Sequence, residues 1–391
     1  MSNDAQPEIR FPGFTEDWEQ RKLGEVAEYY DGTHQTPKYT KSGIPFVSVE
    51  NIQNILGTGK YISEDDFETN FKIKPKKNDI LMTRITAGII GDTAIITNDS
   101  PLAYYVSLAL IRSKKINFLY LEKYINTPYF KHELHKRIIH TAFPKKINLV
   151  EIGQCSVSYP KKESEQKQIG QFFIQLDKSI ALHQRKLDLL KETKKGFLQK
   201  MFPKNGAKVP EIRFPGFTED WEQRRLQEVV DRYDNLRIPI TASKRVAGNT
   251  PYYGANGIQG YVEGYTHDGE FILVAEDGAN DLKNYPVQYV DGKVWVNNHA
   301  HVIQAKENLA DNMFLMNAIR SINIEPFLVG GGRTKLNADV LMKLEVIIPL
   351  KSEQQKIGTF FKQLDDTIAL HQRKLDLLKE TKKGFLQKMF V

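Results

Sequence analysis

Apolar side chains recur at alternating intervals of three and four residues in two long stretches, residues 164–202 and 352–390. This mean period of about 3.5 residues predicts a coiled-coil seam along one face of a long helix. The apolar seam residues are Ile169, Phe173, Leu176, Ile180, Leu187, Leu190, Phe197 and Met201 in the first stretch, and Ile357, Phe361, Leu364, Ile368, Leu375, Leu378, Phe385 and Met389 in the second. A single seam is not stable in water, so we expect the two helices to pack on each other in antiparallel orientation. His183 and His371 share the seam, where a polar residue more often sets the register than forms a site.

The two helices belong to a duplicated arrangement. Residues 181–202 are identical to residues 369–390, and residues 7–21 recur unchanged at 210–224. A repeat of about 200 residues indicates a duplicated domain rather than a solenoid, whose repeats are about 20–50 residues long. The predicted divisions are a repeated segment with a first variable domain (1–160), a central helix with a linker (161–209), a repeated segment with a second variable domain (210–349), and a C-terminal helix (350–391).

The variable blocks predict short strands and a few helices. Apolar runs favour strands at residues 44–49, 79–83, 91–97 and 106–111 in the first block, and at 260–263, 270–274, 287–290 and 293–296 in the second, several of these bounded by Asp-Gly turns. Helices are expected at residues 118–140, broken near Pro128, and at residues 313–321. The predicted fold class is α+β: two mixed α/β domains separated by two long, antiparallel coiled-coil helices, with internal pseudo-two-fold symmetry.

The composition fits a globular protein, with 40% hydrophobic and 26% charged residues. No basic-then-apolar leader and no apolar run of membrane-spanning length occurs in the sequence, so we expect a cytoplasmic protein without a membrane partner. Cys155 is the only cysteine, which excludes an intrachain disulfide and a thiolate metal cluster. The net charge is +7, and the excess lies in the helices: residues 161–208 carry twelve Lys/Arg against five Asp/Glu. This excess suits a polyanionic partner and suits solvated helix faces equally well.

Catalytic motifs are incomplete. The segments 126–129 and 249–252, both Asn-Thr-Pro-Tyr, place Thr where the adenine-methylase motif has its first Pro, and no glycine-rich turn for S-adenosylmethionine is visible. A dinucleotide fingerprint and a Walker loop are also absent from the sequence. His132 and His135 are predicted on a helix surface, and His299 and His301 could share one face of a strand but have no visible third ligand. We therefore predict no catalytic residue and no metal site.

Polar loops in both variable blocks contain side chains suited to phosphates and base edges. Glycines beside several of them permit close approach of the backbone to a ligand. Each loop taken alone fits ordinary loop polarity better, whereas two sets on matching sequence frames favour DNA. The candidate DNA contacts are His34, Gln35, Thr36, Lys38, Tyr39, Arg84, Thr86, Lys145 and Lys146 in the first block, and Tyr252, Tyr253, Asn256, Gln259, Asn298, His299, Arg333, Thr334 and Lys335 in the second.

These features together resemble the specificity subunit of bacterial type I restriction-modification enzymes, over essentially the whole chain, and the staphylococcal-type members in particular. The resemblance rests on the two RFPGF-x-x-x-W segments, on DGTHQTPKY at residues 31–39, on the Pro-x(2–3)-Ser-Glu-Gln entry to each helix, and on the duplicated helix.

The resemblance implies that each variable domain reads one half of a split, asymmetric DNA site through the major groove. It also implies that the helices set the spacing between the halves and bind two modification subunits, which use S-adenosylmethionine to methylate adenine. Restriction subunits using ATP and Mg²⁺ would then translocate and cleave DNA. The chain itself would be non-catalytic and would bind no cofactor.

Two other classes of function remain open at this point. A self-sufficient methyltransferase-nuclease is disfavoured by the missing cofactor motifs, and methylation by the purified chain alone would establish it. A coiled-coil adaptor that binds only proteins would be excluded by a salt-sensitive, sequence-dependent DNA complex formed with the methylase partner.

Overall fold

The computed structural model describes residues 6–204, 206–331 and 334–391. The chain forms two compact units. Unit 1 comprises the described residues up to His183 together with Lys374–Val391, and unit 2 comprises Gln184–Arg373. Each unit therefore contains one variable domain and one part of each long helix.

Unit 1 contains short strands and helices followed by the start of the first long helix. In chain order these are β1 (Glu19–Lys22), α1 (Leu23–Val26), β2 (Ala27–Asp31), β3 (Ile44–Val47), a 3-10 segment (Val49–Gly57), β4 (Tyr61–Ile62), α2 (Glu64–Asn70), β5 (Ile80–Thr83), β6 (Ile85–Thr86), β7 (Thr93–Ile95), β8 (Ala103–Tyr104), β9 (Leu108–Ser113), α3 (Phe118–Ile125), α4 (Pro128–His135), β10 (Lys145–Lys146), α5 (Leu149–Gly153), β11 (Ser156–Tyr159) and α6 (Glu163–Lys200), whose later part lies in unit 2.

Unit 2 repeats this arrangement with longer strands. Its elements are β12 (Glu222–Arg225), α7 (Leu226–Val229), β13 (Val230–Arg232), 3-10 turns at Asp234–Leu236 and Ala242–Lys244, β14 (Ala247–Gly254), β15 (Gly257–Val262), β16 (His267–Asp268), β17 (Phe271–Ala275), β18 (Val287–Val290), β19 (Lys293–Val296), β20 (Ala300–Ala305), α8 (Asn312–Ser321), a 3-10 turn at Glu325–Phe327, α9 (Ala338–Lys343), β21 (Glu345–Ile348) and α10 (Lys351–Lys388), whose last part lies in unit 1.

The two units share one sheet topology. Unit 1 has an antiparallel sheet in the order β2-β9-β5-β7, and unit 2 has the matching order β13-β20-β17-β18. A second sheet in each unit combines an antiparallel hairpin with a parallel neighbour: β4-β3-β8 in unit 1 and β15-β14-β19-β16 in unit 2. The variable blocks thus differ in sequence but have the same chain path.

One Asp-Gly turn of unit 2 connects strands of two different sheets, which the sequence does not reveal. The strands predicted at residues 287–290 and 293–296 lie where expected, as β18 and β19. Asp291-Gly292 lies between them, with a positive φ of 82° at Gly292, a conformation that favours glycine. Because β18 and β19 belong to different sheets, this turn transfers the chain between sheets and does not close a hairpin.

The long helices run antiparallel in unit 1, where the beginning of α6 packs against the end of α10. The rings of Phe172 and Phe385 meet edge to face at 5.1 Å between centroids, and Phe173 packs on Phe390 at 5.6 Å. The Asp177 carboxylate accepts a hydrogen bond from the Lys382 ammonium at 2.6 Å and from the Lys123 ammonium of α3 at 2.7 Å. Burial opposes ionisation of Asp177, but these two cations outweigh it and lower the pKa of the carboxyl group.

The same antiparallel packing occurs in unit 2 with the helices exchanged, which confirms the predicted orientation. Phe197 of α6 meets Phe360 of α10 at 5.0 Å, and the Lys194 ammonium donates to the Asp365 carboxylate at 2.5 Å. Every apolar residue of the predicted seam is buried or half-buried. The seam ends, including Ile169 in unit 1 and Ile357 in unit 2, lie within the cores of the variable domains.

The repeated segments attach each variable domain to the helices. The Arg10 guanidinium binds the Glu165 carboxylate through two hydrogen bonds of 2.7 and 2.9 Å, and Arg213 binds Glu353 through two of 2.8 Å. The glutamates are 2% and 1% exposed, so both ion pairs are almost fully desolvated on the carboxylate side. The repeated RFPGF and Ser-Glu-Gln motifs therefore serve the same structural contact twice.

Candidate nucleic-acid interface

A cleft of about 410 Å³ opens in unit 1 at the end of β2. His34 and Gln35 line it, and the His34 Nε2 atom lies 2.7 Å from an Asp31 carboxylate oxygen. Gly32 lies so close to the backbone at Tyr104 and Tyr105 that an added Cβ would stand 2.3 Å from the Tyr104 carbonyl oxygen. The Asp-Gly-Thr-His sequence thus needs glycine at this position to bring the histidine loop against β8.

The remaining candidates of the first loop lie beyond this cleft. Thr36, Lys38 and Tyr39 are exposed, and the Tyr39 ring packs edge to face on Phe46 at 5.6 Å. The Lys60 ammonium lies 5.7 Å from the centre of the same ring. Tyr39 is therefore held by the second sheet, with nearly half of its surface still free.

Arg84 is a support rather than an exposed contact. Its side chain is 9% exposed and donates hydrogen bonds to the carbonyl oxygens of Val106 and Ile147 at 2.9 and 3.2 Å. Burial lowers the pKa of its guanidinium, and Asp31, 3.8 Å away, opposes that shift. Arg84 therefore fixes β6 against the chain that follows β10.

The paired strands β6 and β10 carry the other candidates of unit 1. Lys145 pairs with Thr86, and Lys146 pairs with Ile85. Both lysines are exposed, whereas Thr86 is half-buried and accepts a hydrogen bond from the Gly88 amide at 3.0 Å. The structure thus brings Lys145, Lys146 and Thr86 together at one edge of the unit.

Unit 2 has a larger polar cleft, of about 590 Å³, lined by residues of β14 and β15 and by the loops that follow β17 and β19. Five predicted residues line this cleft: Tyr252, Asn256, Gln259, Asn298 and His299. Gln259 and Asn298 are exposed, so their amides are open to a ligand, while Tyr253 packs on an apolar cluster beside the cleft.

Two of the lining residues have roles in the protein itself. Tyr252 is only 1% exposed, and its ring lies 4.0 Å beneath the Arg245 guanidinium. Asn256 donates to the Gly278 carbonyl oxygen at 2.8 Å and accepts from the Asn280 amide at 2.9 Å. Tyr252 and Asn256 therefore shape the cleft and orient other groups.

Sequence reasoning missed two charged residues of this cleft, Arg245 and Asp277. The stacked Arg245 guanidinium is a donor for phosphate or base edges, and the Asp277 carboxylate lies 2.5 Å from His299 Nδ1. Arg245 lies in a polar stretch with no local pattern. Asp277 follows a buried strand, and this position at the end of a strand was the only feature of the sequence that could have identified it.

A buried set of charges lies beside the cleft. His301 contacts the Asp234 carboxylate through Nδ1 and the Leu336 carbonyl oxygen through Nε2, both at 2.8 Å. The Arg237 guanidinium binds Glu276 at 2.6 Å. Burial opposes ionisation of Glu276, but hydrogen bonds from Arg237 and Lys335 outweigh it and lower the pKa of the carboxyl group. These residues form a network of hydrogen-bonded charged side chains next to the cleft.

The last group of candidates follows the glycine-rich loop of unit 2. The Lys335 ammonium lies 2.9 Å from Glu276, with about half of the side chain exposed. Thr334 is half-buried, and its carbonyl oxygen accepts a hydrogen bond from the Gly278 amide at 3.4 Å. Arg333 lies outside the described residues.

The two histidines of the predicted strand contact other groups of the protein. His299 and His301 each contact a carboxylate, Asp277 and Asp234 respectively. Among the described residues, no group of three or more His, Cys, Asp or Glu side chains could hold a metal ion. Cys155 is buried, and burial raises the pKa of its thiol to about 12.

Comparison with known proteins identifies the family. The family model of the type I restriction modification DNA specificity domain matches residues 15–192 and, a second time, residues 218–380. The chain belongs to this specificity family. The two matches coincide with the two variable domains and most of each helix, so the clefts described above lie in DNA specificity domains.

Individual relatives support this membership. A Haemophilus influenzae protein named as a type I restriction enzyme specificity subunit, S.HindORF215P, is 46% identical over 154 residues, which are 39% of each chain. The MjaVIII specificity subunit of Methanocaldococcus jannaschii is 21% identical over 95% of this chain and 91% of its own length. The crystal structure of the S subunit of a type I restriction-modification system from M. genitalium has the same fold, with a TM-score of 0.72 at 13% identity over 99% of both chains. Within the described residues, no helix is long and apolar enough to cross a membrane.

Proposed function

We propose that this chain is the non-catalytic, DNA-reading subunit of a cytoplasmic type I restriction-modification complex and that it recognises a bipartite, asymmetric site. One observation carries the proposal: units 1 and 2 share a sheet topology but present different clefts. The first cleft contains His34 and Gln35, and the second contains Gln259, Asn298 and the stacked Arg245. Two unlike polar surfaces on one repeated scaffold suit two unlike half-sites.

The repeated helices support two copies of one partner. Leu182 and Leu370 occupy the same place in the repeat and are 65% and 57% exposed, as are Leu189 and Leu377, at 65% and 67%. Exposed leucines at equal positions on two identical sequences offer the same apolar contact twice. In this proposal they bind two modification subunits, which hold S-adenosylmethionine and methylate adenine. Restriction subunits holding ATP and Mg²⁺ join that assembly, and this chain binds no cofactor.

The experiment replaces residues 27–160 with the corresponding block of another specificity subunit in cells that also express the modification subunits. Methylated adenines are then mapped across the genome. We expect a change in only one half of the methylated sequence, because unit 2 retains its own cleft. The matched exchange of residues 230–349 should change only the other half.

A change of both halves in either exchange would refute independent reading. Methylation by the purified chain without modification subunits would instead show a self-sufficient methyltransferase. Modification subunits that bind the chain but form no sequence-dependent DNA complex with it would show a protein-only adaptor.

A further inference from the structure

One aromatic side chain of unit 1 is almost fully exposed. Phe143 is 92% exposed, more than any other large apolar side chain in the described part of the chain. It lies at the tip of a loop closed by a bridge between Ile139 and Lys146, where the Ile139 amide donates to the Lys146 carbonyl oxygen at 2.8 Å. With nearly all of its surface in solvent, the ring is free to contact a partner.

The base of this loop is held firmly. Strand β10 at the loop end pairs with β6, and the Ile147 amide donates to the Arg84 carbonyl oxygen at 3.0 Å. The buried Arg84 side chain returns a hydrogen bond to the Ile147 carbonyl oxygen at 3.2 Å. The loop that carries Phe143 is therefore hydrogen-bonded at its base, which lowers the cost of ordering it against a partner.

The surroundings of Phe143 indicate which partner fits. Pro144, Lys145 and Lys146 follow it, and both lysines are exposed. Within the described part of the chain, neither lysine forms an ion pair. Paired cations beside a single projecting ring match duplex DNA, in which phosphates flank a stack of apolar bases. A protein partner would favour a broader apolar surface around the ring.

The loop adjoins the cleft of unit 1. Arg84, which holds the end of the loop, lies 3.8 Å from Asp31, and Asp31 contacts His34 at 2.7 Å. A duplex placed against His34 and Gln35 would therefore pass close to the lysines and the ring.

We propose that Phe143 inserts between neighbouring base pairs of bound DNA, at the edge of the half-site that unit 1 contacts, while Lys145 and Lys146 bind the adjacent phosphates. The inference rests on the proposed function and adds a positioning residue to it. Insertion of an apolar side chain unstacks one base step and kinks the duplex. Unit 2 offers a natural contrast, because its matching loop, closed by the bridge between Val329 and Lys335, has the sequence Gly-Gly-Gly-Arg-Thr with no aromatic residue.

The test uses the full chain co-purified with its modification subunits and duplexes that contain its methylated site. 2-Aminopurine is placed at successive positions across and around both half-sites, since its fluorescence rises when a base loses its stacking neighbour. Apart from the target adenines, which methyltransferases flip out of the duplex, the wild-type complex should show one bright position, beside the half-site of unit 1. Phe143→Ala should abolish that signal at saturating protein and weaken binding by about 10- to 100-fold.

Three variants are compared with it. Phe143→Leu should retain part of the signal, because an apolar wedge remains. Lys145→Ala with Lys146→Ala should weaken binding to all sequences and lower the salt dependence by about one unit per lost phosphate contact, with the bright position kept at saturation. Val329→Ala, at the matching loop of unit 2, should change neither quantity.

The outcomes are distinguishable. Unchanged fluorescence and affinity in Phe143→Ala would overturn the insertion while leaving DNA recognition by the chain intact. Loss of modification subunits from the purified Phe143→Ala complex would show that the ring binds protein, and would also overturn it. Failure of the wild-type complex to bind any sequence selectively would overturn the proposed function, and the insertion with it.

Discussion

Lengthening both long helices by one turn should widen the gap between the two half-sites and leave each half-site unchanged. Ion pairs join α6 and α10 at two levels, Asp177 with Lys382 in unit 1 and Lys194 with Asp365 in unit 2. Residues 177 and 194 are 17 positions apart on α6, and residues 365 and 382 are equally far apart on α10. The two helices therefore have matched lengths between the ion pairs.

The perturbation inserts four helix-forming residues after Leu187 and the same four after Leu375. Each helix gains about 6 Å at about 1.5 Å per residue. Base pairs are spaced by about 3.4 Å, so the unread segment should grow by about two base pairs. Both ion pairs keep their partners because the insertions are equal.

An insertion in α6 alone is the control for helix register. It makes the segment of α6 between the two ion pairs four residues longer than the matching segment of α10. The unit 2 contacts, the Lys194–Asp365 ion pair and the Phe197–Phe360 pair, then cannot form while the Asp177–Lys382 ion pair of unit 1 is kept. Loss of an aromatic pair costs about 0.5–1.5 kcal/mol beyond the loss of its buried area. We expect this variant to unfold more easily and to yield less assembled complex.

Genome-wide mapping of methylated adenines measures both the spacing and the half-sites. If the doubly lengthened chain methylates sites with the original spacing, the helices do not set the separation. If either half-site changes its sequence, the helices affect base reading and the separation of roles is wrong.

Two further predictions concern the attachment of the domains and their response to pH. Removing the Glu165 charge with Glu165→Gln should destabilise unit 1 by about 3–5 kcal/mol, since it leaves the Arg10 guanidinium buried without its counter-ion. Urea unfolding should show that adding Arg10→Met recovers part of this loss. Simple additivity of the two free-energy changes would contradict the coupling between the two side chains. Burial lowers the pKa of His267 below its usual 6.5, and its Nε2 faces the Tyr233 carbonyl oxygen at 3.1 Å. The unfolded state then binds more protons in acid than the folded state. The contribution of His267 to the free energy of unfolding should therefore be fully present above about pH 6.5 and be lost as the pH falls below it. The pH slope should shrink in His267→Phe, and an unchanged slope would exclude His267 as its source.

The features that sequence predicts well here are those with local patterns. The seven-residue repeat predicted both long helices, and apolar runs predicted β18 and β19 to the residue. The sheet partners are not local: β14 pairs with β19 in parallel across about 40 intervening residues, and only the three-dimensional structure reveals this pairing.

The composition of the clefts follows from those distant pairings. Arg245 and His299 line the same cleft although they are 54 positions apart in the sequence. Tyr252 lies in a glycine-rich polar stretch and Arg84 directly follows a predicted strand, both plausible places for a contact residue, yet packing buries both. Sequence therefore predicted which loops carry polar groups, but not which side chains of a loop remain free.

The matching positions of the two units explain how one scaffold can support different recognition surfaces. The Ile147 amide binds the Arg84 carbonyl oxygen at 3.0 Å, and the Leu336 amide binds the Glu276 carbonyl oxygen at 2.7 Å, so Arg84 and Glu276 occupy equivalent places. Their charges are opposite, and their partners are reversed as well: Asp31 beside Arg84, and Arg237 beside Glu276. The backbone hydrogen bond requires no particular side chain, so the charge at this place can change without loss of the scaffold. Since the pair lies next to the cleft in each unit, its reversal alters which donors and acceptors the protein can present to a base edge.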